Sequence, residues 1–348
     1  MKDKKQNKRI NGGHRLLFFC ILCLFGLYVA VSYAEEQPQR EQSKTKVILL
    51  HTDNLTYDQY RHPGAQILTG NVQFQHDGVL MYCDSACFYE ATNSFDAFGH
   101  VKMVQGDTLD LVGDMLLYNG LDQLARVRHN VVLTHRESKL YTDSLDYDRL
   151  YELGYFFEGG KLVDKDNVLT SDWGQYSPPT RQAVFNYNVK LENPKFTLIS
   201  DTLNYNTLTS MAEIVGPSNI DSGDNHIYSE SGFYNTQTEE AILLDRSIVT
   251  NKGRKMVGDS LYYDSKSGVG EGFRNVVYTD EVNKNMLTGN YCYYNDSTGY
   301  SMATDSAVAI DYSQRDTMYM HADTFKVYTF YMDTDSMYRE VRGYHKVR

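Results

Sequence analysis

Apolar and polar positions alternate along most of this chain, and the alternation returns in phase at a nearly fixed interval. Its clearest copy is Gly258-Asp259-Ser260-Leu261-Tyr262-Tyr263-Asp264. With the Asp as position zero, matching frames start at Asp53, Asp84, Asp114, Asp143, Asp172, Asp201, Glu230, Asp259, Asn290 and Asp323, in steps of 31, 30, 29, 29, 29, 29, 29, 31 and 33 residues. Position +2 is apolar or small: Leu55, Ala86, Leu116, Leu145, Gly174, Leu203, Gly232, Leu261, Cys292, Phe325. Position +4 reads Tyr57, Phe88, Tyr118, Tyr147, Tyr176, Tyr205, Tyr234, Tyr263, Tyr294, Val327. Eight of these ten are Tyr in a chain with 29 Tyr among 348 residues, so chance does not explain the column. Positions +1 and +3 are mostly polar, which is the period-two pattern of a half-buried strand. Position +5 is usually Asp, Asn or Ser, residues that favour turns. Each repeat is therefore expected to hold a strand that stops at a turn, with the +2 and +4 side chains on one face.

A second element precedes the frame, with clear copies at Gly70-Asn71-Val72-Gln73-Phe74 and Gly99-His100-Val101-Lys102-Met103. Gly or Asn followed by alternating apolar residues reads as a turn and then a strand. Two strands per repeat, with no helical periodicity between them, predict an all-β stack, an elongated β-solenoid or β-jellyroll built from about ten ~29-residue repeats.

Composition agrees. Hydrophobic content of 41%, 13% aromatic, is too rich for disorder, and six prolines among 348 residues suit strands. The formal charge is −11; residues 1–34 carry six Lys or Arg against one Asp, which leaves −16 beyond them. So acidic a body is not expected to bind nucleic acid, whose phosphates need a basic face.

Basic residues from Lys2 to Arg15, an apolar run from Leu16 to Val31 and Ser32-Tyr33-Ala34 form the three-part pattern of a signal peptide over 1–34, cleaved before Glu35. An uncleaved anchor is the other reading of that run. Residues 35–46 read as a polar linker and 47–348 as the repeat domain. A further Gly-x-x-x-Val start at Gly343 predicts a domain shortened at its C-terminal end and able to pair head to tail with another copy.

Catalytic patterns are missing: no G-x-S-x-G, H-E-x-x-H, P-loop or G-x-G-x-x-G occurs, and no enzyme, cofactor or metal is expected. Asp333-Thr334-Asp335-Ser336 is read as the chain's own repeat signature and not as a phosphatase loop. Cys83, Cys87 and Cys292 are expected as buried free thiols, since Cys83 and Cys87 are too far apart along one strand to bridge. His129 and His135 are expected at the surface. The Asp column is expected to bond turn backbones.

Thr69-Gly70-Asn71-Val72-Gln73-Phe74, then Cys83-Asp84, Phe88-Tyr89 and Asp96-Ala97-Phe98-Gly99-His100-Val101 resemble the OstA/LptA family, whose repeats have the form G-N-V … A-D … Y … A-x-G-x-V. The many Asp-Ser/Thr-Leu-x-Tyr copies look like the OstA-like proteins of the Bacteroidetes type. The resemblance covers roughly residues 47–348. It implies a periplasmic β-jellyroll of two sheets closed like a folded taco around an apolar groove. By the same resemblance, the groove carries lipopolysaccharide acyl chains, the lipid A part, toward the outer-membrane translocon, with other jellyrolls of a transport bridge as partners.

On that reading the groove is lined by Leu55, Tyr57, Phe88, Leu116, Tyr118, Leu145, Tyr147, Tyr176, Leu203, Tyr205, Tyr234, Leu261, Tyr263, Tyr294 and Phe325. Tyr brings a hydroxyl that needs a partner, which suits the mouth of a groove. The alternative is a structural or adaptor solenoid whose Leu and Tyr ladders fill a solid core without cargo.

Overall fold

This computed structural model describes residues 45–333 and 336–348, with side chains described outside 331–337. The segments read as signal peptide and most of the linker lie outside the described residues, as does the centre of the Asp333–Ser336 motif. Among the described residues, 23 antiparallel strands form one hydrogen-bonded sheet. Most run 11 or 12 residues and pair with the strands before and after them in sequence, as in Val79–Tyr89, Ser94–Gln105 and Leu109–Asn119. Short pieces lie end to end to make further long paths: Leu153–Phe156 and Gly160–Asp164 along Ser138–Asp148, and Asn167–Ser171 and Trp173–Ser177 along Gln182–Asn193.

Nearly every long strand is bent at its middle. The register slips between Thr69 and Val72, Phe98 and Val101, Arg128 and Val131, and likewise in later strands. At the slips the backbone turns left-handed: Gly70 (φ 82°) and Asn71 (46°), Gly99 (74°) and His100 (42°), Arg274 (59°) and Asn275 (50°). Gly and Asn tolerate this region, which explains the sequence preference. The Gly-Asn-Val element is therefore a bulge inside a running strand, and not the turn before a new one as its composition suggested. A bulge bends a strand without ending it.

Each strand thus contributes one half to each of two walls, and the single sheet is folded along the line of bulges. The expected two sheets are two halves of one ladder. The walls meet through their inner side chains: Phe74 stacks on Phe95 at 4.1 Å, and Phe196 meets Tyr234 edge-on at 4.8 Å.

The Asp column stands at the bend and is bonded differently from expectation. Carboxylates of Asp53, Asp114, Asp172 and Asp259 accept from the side-chain amides of Asn71, Asn130, Asn188 and Asn275 at 2.7–3.0 Å. Asp84 meets His100 Nδ1 at 2.7 Å, and that carboxylate raises the His100 pKa. The left-handed bulge residue aims its side chain at the neighbouring strand's Asp, so the column ties adjacent strands along the fold. Turn backbones are held instead at position +5, where Asn119, Asn206 and Asp264 each accept from two following N–H groups.

Candidate lipid-facing interior

Alternation along each strand sends +2 and +4 inward. Leu116, Leu145 and Leu203 are 0% exposed; Leu261, Phe325 and the column tyrosines from Tyr118 to Tyr294 are buried, as is Phe88. Leu55 and Tyr57 stand apart, 45% and 67% exposed, because their short strand Asn54–Tyr57 pairs on one side only, with Gln66–His76. Gly at +2 has a packing reason: a Cβ on Gly174 would lie 2.4 Å from the Phe156 ring and 2.4 Å from the Val184 carbonyl oxygen.

The hydroxyls at +4 meet polar groups from the opposite wall, 38–42 residues earlier in the chain. His76 Nδ1 lies 2.7 Å from the Tyr118 hydroxyl, and His135 Nδ1 lies 2.8 Å from that of Tyr176. Tyr205 donates to Asp164 Oδ2 at 2.8 Å and accepts from Asn167 Nδ2 at 2.9 Å. Tyr263 donates to Asn225 Oδ1 at 2.8 Å, and Arg254 donates to the Tyr294 hydroxyl. Tyr147 differs: its hydroxyl is buried without a protein partner among the described residues.

These bonds run as a seam along the free tips of the two walls. Gln105 to Glu152 (2.6 Å) and Lys195 to Glu239 (2.7 Å) add to it, and Arg149 donates to the Tyr118 hydroxyl and to the His76 carbonyl. His135 is therefore buried in the seam, against the expectation of a surface residue, while His129 is exposed. Burial lowers the pKa of both seam histidines; Asp77 opposes and Arg149 adds to the effect at His76, and Arg181 and Arg136 add to it at His135.

Sequence reasoning missed the seam, although a signal was present. His76, His135, Asp164, Asn193, Ser222 and Asn251 form a polar column eight residues ahead of the frame.

Beyond Tyr263 the filling loosens. A cavity of about 30 Å³ is lined by Met256, Tyr263 and Tyr294. Further on lies a chamber of about 400 Å³, within the usual size range of small-molecule sites. Leu287, Ala309 and Val327 line its apolar part; Asn283, Asp311 and Arg339 supply polar groups. Tyr278 and Tyr294 are common to both spaces.

Cys83, Cys87 and Cys292 are buried and free, and burial pushes the Cys83 and Cys292 thiols up to about 12, so they carry no thiolate chemistry at neutral pH.

A family model described as OstA-like protein matches residues 44–201 and 192–259. No curated protein matches the chain. Among solved structures, it is similar to the crystal structure of LptH, the LptA homologous periplasmic component of the conserved lipopolysaccharide transport device from Pseudomonas aeruginosa. That match has 16% identity and a TM-score of 0.29, and covers 31% of this chain and 82% of that one. The two family matches together span more than half of the sequence, and the chain belongs to the OstA-like protein family.

Proposed function

We propose that this chain is a periplasmic component of lipopolysaccharide transport, a folded-sheet strut that docks other jellyrolls and takes lipid acyl chains into its interior. The observation that carries the reading is membership of the OstA-like family along residues 44–259. The apolar +2 column and the chamber between Leu287 and Val327 support an interior suited to acyl chains, which need only a dry, elongated apolar slot. Exposed Ile48, Leu50, Leu55 and Tyr57 on the first strands offer an apolar face for docking a partner jellyroll.

In the closed form, the columns at Leu116, Leu145 and Leu203 are occupied by the protein's own side chains, so lipid enters at the chamber. It reaches those columns only where the seam parts. One observation favours a second reading, a strut without cargo: the interior between Leu68 and Leu203 is filled.

A photocrosslinking residue placed at Leu287, Val327, Leu203 or outward Ile242 separates the two in cells. Capture of lipopolysaccharide at Leu287 and Val327, and not at Ile242, is expected. No capture at the chamber, or equal capture at Ile242, leaves the strut.

A further inference from the structure

Between the filled interior and the chamber sit two arginines and two aspartates whose hydrogen-bonding capacity is unevenly used. Asp280 is fully buried and accepts from the Asn283 backbone N–H (2.9 Å), the Asn283 amide (2.8 Å) and Arg339 Nη1 (2.9 Å). Burial pushes its carboxyl up, but the Asn283 bonds and the Arg339 guanidinium outweigh that and hold it below the usual carboxylate range. Arg254 is engaged by Asp296 at 2.5 Å and by the Tyr294 hydroxyl. At the rim, Asp311 accepts from the Ser313 N–H at 2.8 Å.

Arg339 is the group with capacity left. A guanidinium carries five N–H donors. Among the described residues only Nη1 is bonded, to Asp280, and Nε is buried without a protein partner. About a fifth of the side chain is exposed, and it lines the chamber together with Met286, Met318 and Met320. Methionine side chains are unbranched and adapt to irregular apolar ligands.

We propose that the chamber is a site for a single-chain amphiphile with an anionic head, a carboxylate or a phosphate monoester. The alkyl chain lies along the methionine side, and the remaining Arg339 donors hold the head. An arginine fork matches either head through paired N–H bonds, which a neutral sugar head does not reproduce. Asp280 fixes the fork, and the carboxylate of Asp311 confines an anionic head to the Arg339 side. The assignment rests on the lipid-accepting chamber proposed above and adds the residue that reads the head.

Calorimetric titration of the purified chain with dodecanoate, dodecyl phosphate and dodecyl maltoside, each below its micelle concentration, is the test. The two anionic probes are expected to bind about tenfold or more tighter than the maltoside, as charge-assisted pairs are stronger than neutral ones. R339Q should bring them down to the maltoside's level. R339K, which keeps a charged partner for Asp280 but not the fork, should lose part of the preference and guards against a merely unfolded R339Q. V327W, which fills the chamber, should abolish binding of all three.

Equal affinity for the three probes in the unaltered chain overturns the role of Arg339 and leaves the chamber as a lipid site. No binding of any probe overturns both. Purified lipopolysaccharide that displaces bound dodecyl phosphate assigns the head to an envelope lipid; displacement by dodecanoate alone assigns it to free fatty acid, and either result upholds the site.

Discussion

Asp164 and Tyr205 stand on opposite walls of the folded sheet and close it, the buried hydroxyl donating to the buried carboxylate at 2.8 Å. Replacing Tyr205 with Phe leaves Asp164 with the Ser138 hydroxyl (2.7 Å) and takes one acceptor from Asn167. A buried polar group left unpaired costs about 1–3 kcal/mol. Tyr205→Phe is expected to lower the stability measured by urea unfolding by that order, whereas Tyr147→Phe, which removes a hydroxyl with no protein partner among the described residues, should stay within about 0.5 kcal/mol or stabilise. A change at Tyr205→Phe as small as that at Tyr147→Phe would show that ring packing, which both variants keep, and not the seam bond holds the walls.

The histidines make the seam sensitive to acid. Burial puts the folded-state pKa of His76 and His135 below the ordinary value of 6.5, so below about pH 6.5 the unfolded chain binds more protons. Their contribution is fully present above that pH and is lost as pH falls toward the folded values. Urea midpoints should decline between pH 7.5 and 5.5. His76→Gln with His135→Gln should flatten the slope, and an unchanged slope would place the titration elsewhere.

Gly174 should not accept a side chain. Alanine there drives its Cβ into the Phe156 ring and the Val184 carbonyl, and overpacking of this kind costs about 1–3 kcal/mol. Ala86 already fills the same column position elsewhere, so hydrophobicity is not the obstacle. Thermal melts of Gly174→Ala against the unaltered chain check this, and an unchanged midpoint would mean that Phe156 moves aside freely.

Thiol labelling reports opening. Cys83, Cys87 and Cys292 are buried, so a thiol reagent should modify the chain slowly in buffer and rapidly in denaturant. Rapid labelling of Cys292 alone under native conditions would show that the region next to the chamber opens while the rest stays closed.

Much of this was legible in the sequence because strand alternation and the recurring frame are local. The period fixed which side chains point inward, and the +5 residues marked their turns. The bend was not legible, because Gly-Asn pairs occur in turns and bulges alike and only pairing with a neighbouring strand tells them apart. The partner of each tyrosine lay about 40 residues upstream, beyond the reach of any periodic window, so His135 read as a surface residue. Nor can alternation say whether facing columns touch. That depends on the angle at which the bulges fold the sheet.

The bulges have a mechanical consequence. The inter-strand ladder resumes on the far side of each bulge, so the two walls stay joined along the bend, as pages are joined at the spine of a book. Swinging the walls apart therefore requires rotation at Gly70-Asn71 and its counterparts and need not break the ladder. The resistance lies in fastenings such as Asp164 with Tyr205, His135 with Tyr176 and Asn225 with Tyr263, and in the packing behind them. A chain of such fastenings can be undone one at a time, so a short parting could travel along the protein while the rest stays shut.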